Sequence, residues 1–248
     1  MSCVTGIDLE RVRQSKSLLA LFKGTGKPGT PDYSRPASSR LYKAGGAWVA
    51  KPLVGSGNKK LHAMWYFDLP AGGGYACRET CKGCYALKAQ RQYPAVHNYR
   101  LSNLWQYLHD AKGLRARIVG QLAMGRWTQC RVHTSGEFID QAYVEFWYGI
   151  ARQFPGIRFF AYTKKLRELD FETSRPSNFN VIDSKPVVKE LEAVNYGSLP
   201  YIEALAAAIR DETGEPVKLC PCGIDKSVRC GIDCTDCDKF RFVVFLQH

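Results

Sequence analysis

The sequence has no long run of apolar residues and few acidic side chains. No stretch approaches the roughly 20 consecutive apolar residues that a bilayer span requires. Charged residues also stand near the start, where a signal peptide would have its apolar region. The 248 residues include 35 Lys and Arg against 23 Asp and Glu, a formal net charge of +12. We therefore expect a basic protein that is not exported and stays in the cytoplasm.

Disorder over most of the chain is excluded by what the sequence does contain. Hydrophobic residues make up 45% and aromatic residues 12%, and these fractions are typical of a folded globular protein. A chain of this length can bury a real core. Its composition predicts a basic N-terminal helix and arm over residues 1–60, a core over 61–215 and a Cys-rich metal-binding extension over 216–248.

Short apolar runs alternate with helical patterns beyond the basic arm. This alternation predicts an α/β fold with a parallel sheet and crossover helices. The predicted strands cover 47–54, 62–69, 128–133, 157–162, 180–183 and 240–246. The predicted helices cover 8–23, 85–92, 95–109, 114–124, 141–154 and 201–211. The tally of elements also suits a sheet curled into a partial or full barrel, in which chemistry gathers in the loops after the carboxyl ends of the strands.

Eight of the ten cysteines lie in two clusters with turn-sized spacings. The first cluster is Cys77, Cys81 and Cys84, and the second is Cys220, Cys222, Cys230, Cys234 and Cys237. A reducing cytosol does not sustain structural disulfides, so the clusters need another explanation. Thiolates that are close in sequence converge on one point, which is what a soft metal or an iron–sulfur cluster requires.

The first cluster has the spacing CxxxCxxC and follows the predicted strand 62–69. Three thiolates can hold three irons of a 4Fe–4S cluster and leave the fourth iron open for a ligand. A structural zinc site would need a fourth protein ligand, for which His62 and His133 are candidates. The three cysteines favour the iron–sulfur cluster, and zinc stays open as the alternative.

Two motifs together resemble those of the radical S-adenosylmethionine (SAM) superfamily, in particular a small phage-borne branch. They are CxxxCxxC after strand 62–69 and the sequence SGEF after strand 128–133. The resemblance implies a barrel in which Cys77, Cys81 and Cys84 carry the SAM-binding cluster. It also implies that Glu137 holds the SAM amino group, with Ser135 and Gly136 beside it. Lys164 and Ser184 follow later strands, and we expect them to line the same pocket.

The second cluster repeats the CxxxCxxC spacing and adds further thiols upstream. Four of its five cysteines would saturate a second metal and leave no open coordination site. We expect the ligands to be Cys220, Cys230, Cys234 and Cys237, because the sequence CPC is cramped for two ligands of one metal. An auxiliary 4Fe–4S cluster, zinc and unligated redox thiols all stay open, because spacing alone does not separate them.

The basic arm predicts a polyanionic partner, because Lys and Arg neutralise phosphates and aromatic side chains stack on unpaired bases. Together with the resemblance, the basic arm predicts a radical SAM enzyme that acts on DNA or a nucleotide. If a phage encodes it, this enzyme works in the cytoplasm of the phage's host. The most specific prediction is an isomerase that rearranges a glycine-bearing thymidine during DNA hypermodification, supplied with electrons by a flavodoxin or ferredoxin. The alternative is a non-enzymatic, zinc-stabilised nucleic-acid-binding protein.

Overall fold

The structure is a computed structural model. It describes residues 41–44, 47–50, 64–72, 77, 84–125, 128–184, 199–225, 227–228 and 236–244. The predicted helix 8–23 and most of the basic arm lie outside these residues, as do Cys81, Cys230 and Cys234.

Six strands form a parallel sheet in the order β3-β4-β5-β6-β8-β7. They are β3 (Met64–Phe67), β4 (Gln129–Val132), β5 (Arg158–Thr163), β6 (Phe179–Asp183), β7 (Val217–Leu219) and β8 (Phe242–Val244). The central strand β5 reads RFFAYT and is mostly buried, as expected of a parallel strand covered on both faces. The predicted α/β class with a parallel sheet is confirmed. Among the described strands, β3 and β7 end the order, and closure into a barrel is not observed.

The register of the sheet places neighbouring strand ends level with each other. Val132 pairs with Ala161 between β4 and β5, and Thr163 pairs with Asp183 between β5 and β6. The segments that follow these strands therefore leave the same edge of the sheet. At this carboxyl edge, parallel α/β proteins carry their functional loops.

Helices lie between most of the sheet strands in the described part of the chain, whereas residues 164–178 join β5 to β6 without a helix. The helices are α1 (Tyr85–Gln92), α2 (Pro94–Met124), α3 (Gln141–Ala151), α4 (Leu199–Thr213) and the short α5 (Pro221–Ile224). Pro94 stands in the first turn of α2, where its fixed φ angle suits a helix and its missing N–H is not needed. Asp140 caps α3, because its Oδ1 accepts the Tyr143 N–H at 2.8 Å.

Helix α2 is interrupted at Asp110, which has the non-helical angles φ −149° and ψ 56°. The Asp110 carboxylate accepts the Gly113 N–H at 2.9 Å and pairs with Arg117 at 3.3 Å. An Asp that bonds nearby backbone competes with helical hydrogen bonds. The two predicted helices 95–109 and 114–124 are therefore the two halves of one kinked helix.

A two-stranded antiparallel hairpin precedes the sheet in sequence. Strands β1 (Leu41–Ala44) and β2 (Ala47–Ala50) pair from Leu41 with Ala50 to Ala44 with Ala47. The apolar pattern predicted β2 as part of 47–54 but not its partner β1. The short strand β7 was likewise not predicted.

The chain divides into two compact units that alternate along the sequence. The first comprises residues 1–54, 67–126 and 133–146, and the second comprises 55–66, 127–132 and 147–248. Buried apolar residues of the first unit include Leu69, Leu101, Leu104, Leu114, Ile118 and Phe138. Those of the second include Trp65, Trp147, Phe159, Phe160, Ile182 and Val243. The predicted divisions at 60/61 and 215/216 stay predictions.

None of the helices in the described ranges combines the length and the apolar character that a membrane span needs.

Candidate functional site

The candidate site begins where β3 ends, at a buried carboxylate. The strand residues Met64–Phe67 are apolar, and Asp68 follows them with only 2% of its surface exposed. A buried carboxylate is costly unless hydrogen bonds and an opposite charge compensate it. Asp68 has both kinds of partner, and they come from two other segments of the first unit.

The first of these segments is the turn after β4, residues 134–137, which we call the SGE turn. His133 and Gly136, at its entry and centre, have positive φ angles of 68° and 91°. A positive φ is uncommon for a residue other than Gly and often accompanies function. The motif recognised in the sequence is thus a tight, locally strained turn at the end of a strand.

Main-chain hydrogen bonds join the SGE turn to the segment after β3. His133 donates its N–H to the Phe67 carbonyl at 2.8 Å, and Leu69 donates to the Ser135 carbonyl at 3.0 Å. The Ser135 hydroxyl donates in turn to the Leu69 carbonyl at 3.0 Å. The chain that leads to the first cysteine cluster and the predicted SAM-binding motif are therefore held side by side.

Glu137 is 8% exposed at the end of this turn. Its Oε1 accepts the N–H of Phe138 at 2.8 Å, so the carboxylate turns back toward its own main chain. A buried carboxylate in a dry setting forms a strong pair with an ammonium group. The predicted role of Glu137 is compatible with this setting, and it stays a prediction.

Aromatic rings pack around His133 at the entry to the turn. The His133 ring stacks on Tyr143 with centroids 5.6 Å apart, and its Nε2 lies 3.0 Å from the Tyr143 hydroxyl. Phe138 meets the His133 ring edge-on at 5.0 Å. These contacts hold the His133 side chain in place and compensate for the cost of its positive φ angle.

The second segment that reaches Asp68 is helix α2. Arg100 Nη2 lies 3.4 Å from Asp68 Oδ2, and its Nη1 donates to the Ala86 carbonyl at 3.0 Å. Asn103 Nδ2 donates to the Asp68 carbonyl at 2.9 Å. Arg100 also affects His97. Burial lowers the pKa of His97, and the positive charge of Arg100 lowers it further. Asp68 and Arg100 belong to no motif in the sequence, and the usable signal for Asp68 was a carboxylate directly after an apolar strand.

The described cysteines of the first cluster are Cys77 and Cys84. Both are half-buried, and neither is in a disulfide. Cys84 directly precedes α1, whose Lys88 donates its N–H to the Cys84 carbonyl at 3.1 Å. Within the described residues, no three His, Cys, Asp or Glu side chains converge as a metal would require. Cys81 lies outside the described residues.

The second cluster has two described cysteines, Cys220 and Cys237, which the fold brings into one buried group. They pack with Met64, Phe160, Ile182 and Val243, and Tyr162 lies against the same group. Burial raises the pKa of Tyr162, and a hydrogen bond with Cys237 and the nearby Cys220 act in the same direction. The Arg131 guanidinium lies 4.7 Å from the Tyr162 ring centre. Two of the four predicted ligands thus share one location.

The two predicted pocket residues at later strand ends differ in their settings. Lys164 is exposed after β5. Ser184, after β6, is half-buried and donates its N–H to the Thr163 carbonyl at 2.9 Å. The neighbouring Lys165 is only 6% exposed, an unusual state for a lysine. The roles of Lys164 and Ser184 in a SAM pocket stay predictions.

Comparisons with known proteins place the chain among phage gene products. The family model described as GP88: Gene product 88 matches residues 40–242. The chain is 29% identical over 122 residues to the Gene 88 protein of Mycobacterium phage D29, covering 44% of this chain and 50% of that protein. The Gene 88 protein of Mycobacterium phage L5 is equally similar, with 51% of it covered. The chain therefore spans about half the length of these relatives. No solved structure matches.

Proposed function

The chain belongs to the Gene product 88 family, and we propose that it is a phage-encoded radical SAM enzyme. The proposal rests on one observation above the others. The segment after β3 that leads into the cysteine loop and the SGE turn after β4 are hydrogen-bonded to each other through Leu69 and Ser135. A cluster ligated by this loop and a SAM molecule held by this turn would be neighbours.

The donor set suits the cofactor. Neither Cys77 nor Cys84 is in a disulfide, and sulfur ligands favour an iron–sulfur cluster over a hard cation. With Cys81, they would hold a cluster that supplies the electron for cleaving SAM into methionine and a deoxyadenosyl radical. The protein itself binds and orients SAM and excludes water. In this scheme Glu137 receives the SAM amino group, with Ser135 and Gly136 beside it. The sheet of this enzyme would curl as a partial barrel.

A nucleic acid is the proposed substrate class. Helix α1 carries Lys88 and Arg91 on its exposed surface and contains no acidic residue, and Tyr93 at its end is 53% exposed. Within the described part of the chain, neither cation forms an ion pair. Because α1 starts directly after Cys84, phosphates bound here and a base stacked on Tyr93 would lie next to the cysteine loop.

The proposed reaction is an isomerisation of a glycine-bearing thymidine in phage DNA. The deoxyadenosyl radical would take a hydrogen atom from the modified base. The bond to the glycine nitrogen would break as a bond to the glycine carbon forms, and a hydrogen atom would return to the rearranged radical to give the isomer. A flavodoxin or ferredoxin of the host would be the electron donor. The similarity to phage Gene 88 proteins supports a phage setting for this chemistry.

Anaerobic purification followed by a cleavage assay tests the enzyme proposal. We expect a brown protein with iron and acid-labile sulfide that forms deoxyadenosine from SAM and a strong reductant. Cys81→Ala removes one ligand of the SAM-binding cluster and should abolish deoxyadenosine formation. Cys130→Ala is the matched control, because Cys130 is fully buried in β4 and belongs to neither cluster.

Two results would contradict the proposal. Deoxyadenosine formation by the Cys81→Ala protein would show that Cys77, Cys81 and Cys84 do not hold the SAM-binding cluster. A colourless protein with stoichiometric zinc and no iron would favour the zinc-stabilised nucleic-acid-binding alternative.

A further inference from the structure

We infer that Asp68 is the positioning residue of the SAM site: its carboxylate fixes the SGE turn and thereby sets the place of Glu137. The inference rests on the proposed function for its link to SAM. Its structural part, that Asp68 holds the turn, stands on the hydrogen bonds alone and can be tested separately.

The Asp68 carboxylate faces four donor groups. Its Oδ1 accepts the main-chain N–H groups of Thr134 at 2.7 Å and Ser135 at 3.1 Å. The Thr134 hydroxyl lies 2.7 Å from both carboxylate oxygens, and Arg100 Nη2 lies 3.4 Å from Oδ2. Two consecutive main-chain amides that point at one oxygen fix the backbone direction at the start of the turn.

Helix α2 in turn fixes Asp68 from the other side. Arg100 supplies the opposite charge, and Asn103 binds the Asp68 main-chain carbonyl. Arg100 and Asn103 are 5% and 0% exposed. Asp68 therefore links three elements of the first unit: the end of β3, helix α2 and the SGE turn.

A carboxylate is needed here because all four facing groups donate. An Asn side chain has nearly the same shape but replaces one oxygen with an NH₂ group, which only donates. Asp68→Asn would therefore direct a donor at another donor and leave Arg100 without its counter-charge. Because Asp68 is 2% exposed and its oxygens are occupied by the turn and Arg100, we assign it to positioning rather than to direct contact with SAM.

Few residues separate the amides that Asp68 binds from Glu137. Gly136 and Glu137 follow the two clamped amides directly, and the main chain at Gly136 is pressed against Leu69. If the amides are released, the turn loses its anchor and the Glu137 carboxylate its fixed position. Small displacements of a binding group lower affinity and rate strongly.

The test compares Asp68→Asn with the control Asp110→Asn in the full-length protein reconstituted with iron and sulfide. Asp110 is also an aspartate in the first unit that accepts a main-chain N–H and pairs with an arginine, but it lies at the kink of α2. We expect Asp68→Asn to keep the wild-type iron content and to weaken SAM binding about tenfold or more, measured by equilibrium dialysis with labelled SAM. Asp110→Asn should bind SAM as the wild type does.

Hydrogen exchange gives a readout that does not need SAM. The hydrogen-exchange rates of the Thr134 and Ser135 amides should be higher in Asp68→Asn than in the wild type. In Asp110→Asn these rates should equal those of the wild type. If Asp68→Asn does not fold, Thr134→Val removes the hydroxyl contact alone and should show the same changes more weakly. Thr134→Ser, which keeps the hydroxyl, should restore wild-type behaviour.

The outcomes distinguish the role of Asp68 in holding the turn from its link to SAM binding. Unchanged exchange and unchanged SAM affinity in a folded Asp68→Asn protein would overturn the positioning role. Faster exchange with unchanged SAM affinity would overturn the link from the turn to the cofactor. If the wild-type protein binds no SAM, the proposed function fails, and the exchange data alone decide whether Asp68 holds the turn.

Discussion

Gly136 lies so close to Leu69 that a β-carbon at position 136 would be 2.5 Å from the Leu69 Cβ and 2.9 Å from its carbonyl oxygen. Non-bonded carbon atoms do not approach to this distance. The φ angle of +91° at Gly136 is also one that L side chains rarely adopt. Two independent reasons therefore require glycine at the centre of the SGE turn.

Gly136→Ala should destabilise the protein markedly. Backbone strain and overpacking against Leu69 should together lower the free energy of unfolding by about 2–5 kcal/mol. Urea denaturation followed by tryptophan fluorescence measures this change. The control is Gly120→Ala, since Gly120 lies within α2 and a β-carbon there would meet nothing within 4 Å. That control should stabilise the protein by about 0.5–1 kcal/mol, and equal effects of the two substitutions would refute the packing argument.

The sequence pattern predicted most elements of the sheet, because parallel strands are buried on both faces and appear as apolar runs. Strand β5 is one example, since most residues of its sequence RFFAYT are apolar or aromatic. Very short elements, such as β7 with the sequence VKL, are strands because a neighbouring strand pairs with them, as β8 does with β7. The local sequence does not indicate that pairing.

The candidate site was predictable only in part, for a similar reason. The SGE turn has a recognisable motif, whereas Asp68 acquires its role from Thr134 and Arg100, which are distant in sequence. His133 was weighed only as a zinc ligand, and its positive φ angle is not a property that its residue type indicates. Contacts between distant segments, rather than local motifs, determine these residues.

Neutralising the cations of α1 should weaken nucleic-acid binding. For Lys88→Gln with Arg91→Gln, loss of two phosphate contacts should make the plot of log affinity against log salt less steep by about 1.4 for single-stranded DNA. Fluorescence anisotropy with a labelled oligonucleotide measures this slope. Arg167→Gln with Arg210→Gln removes the same charge from exposed sites elsewhere. If both pairs change the slope equally, α1 has no special role.

The buried thiol of Cys130 should make stability depend on alkaline pH. Burial raises the pKa of Cys130 well above its ordinary value, so the folded protein keeps this proton while the unfolded chain releases it above about pH 8.5. The unfolded state then binds fewer protons, and stability falls as pH rises. Relative to Cys130→Ala, the wild type should lose up to about 1.4 kcal/mol per pH unit between pH 9 and 10. Parallel pH profiles of the two proteins in urea denaturation would refute this.

The second cysteine cluster should hold a metal that the proposed SAM cleavage does not require. Cys220 and Cys237 are 5% and 7% exposed and share one buried group beside Tyr162, so a metal bound by them also joins β7, β8 and their connection. Cys237→Ala should lose this metal, lowering iron from about eight to about four atoms per chain if it is a 4Fe–4S cluster, or removing about one zinc ion.

Metal analysis by mass spectrometry distinguishes these cases, and the Cys237→Ala protein should also melt at a lower temperature, because metal binding contributes directly to folding. Cys130→Ala should keep the full metal content, because it removes a buried thiol that belongs to neither cluster. Deoxyadenosine formation should persist in Cys237→Ala, because Cys77, Cys81 and Cys84 are intact. A Cys237→Ala protein with wild-type metal content would show that Cys237 is not a metal ligand. If that protein also failed to cleave SAM, Cys237 would be assigned to the reaction itself.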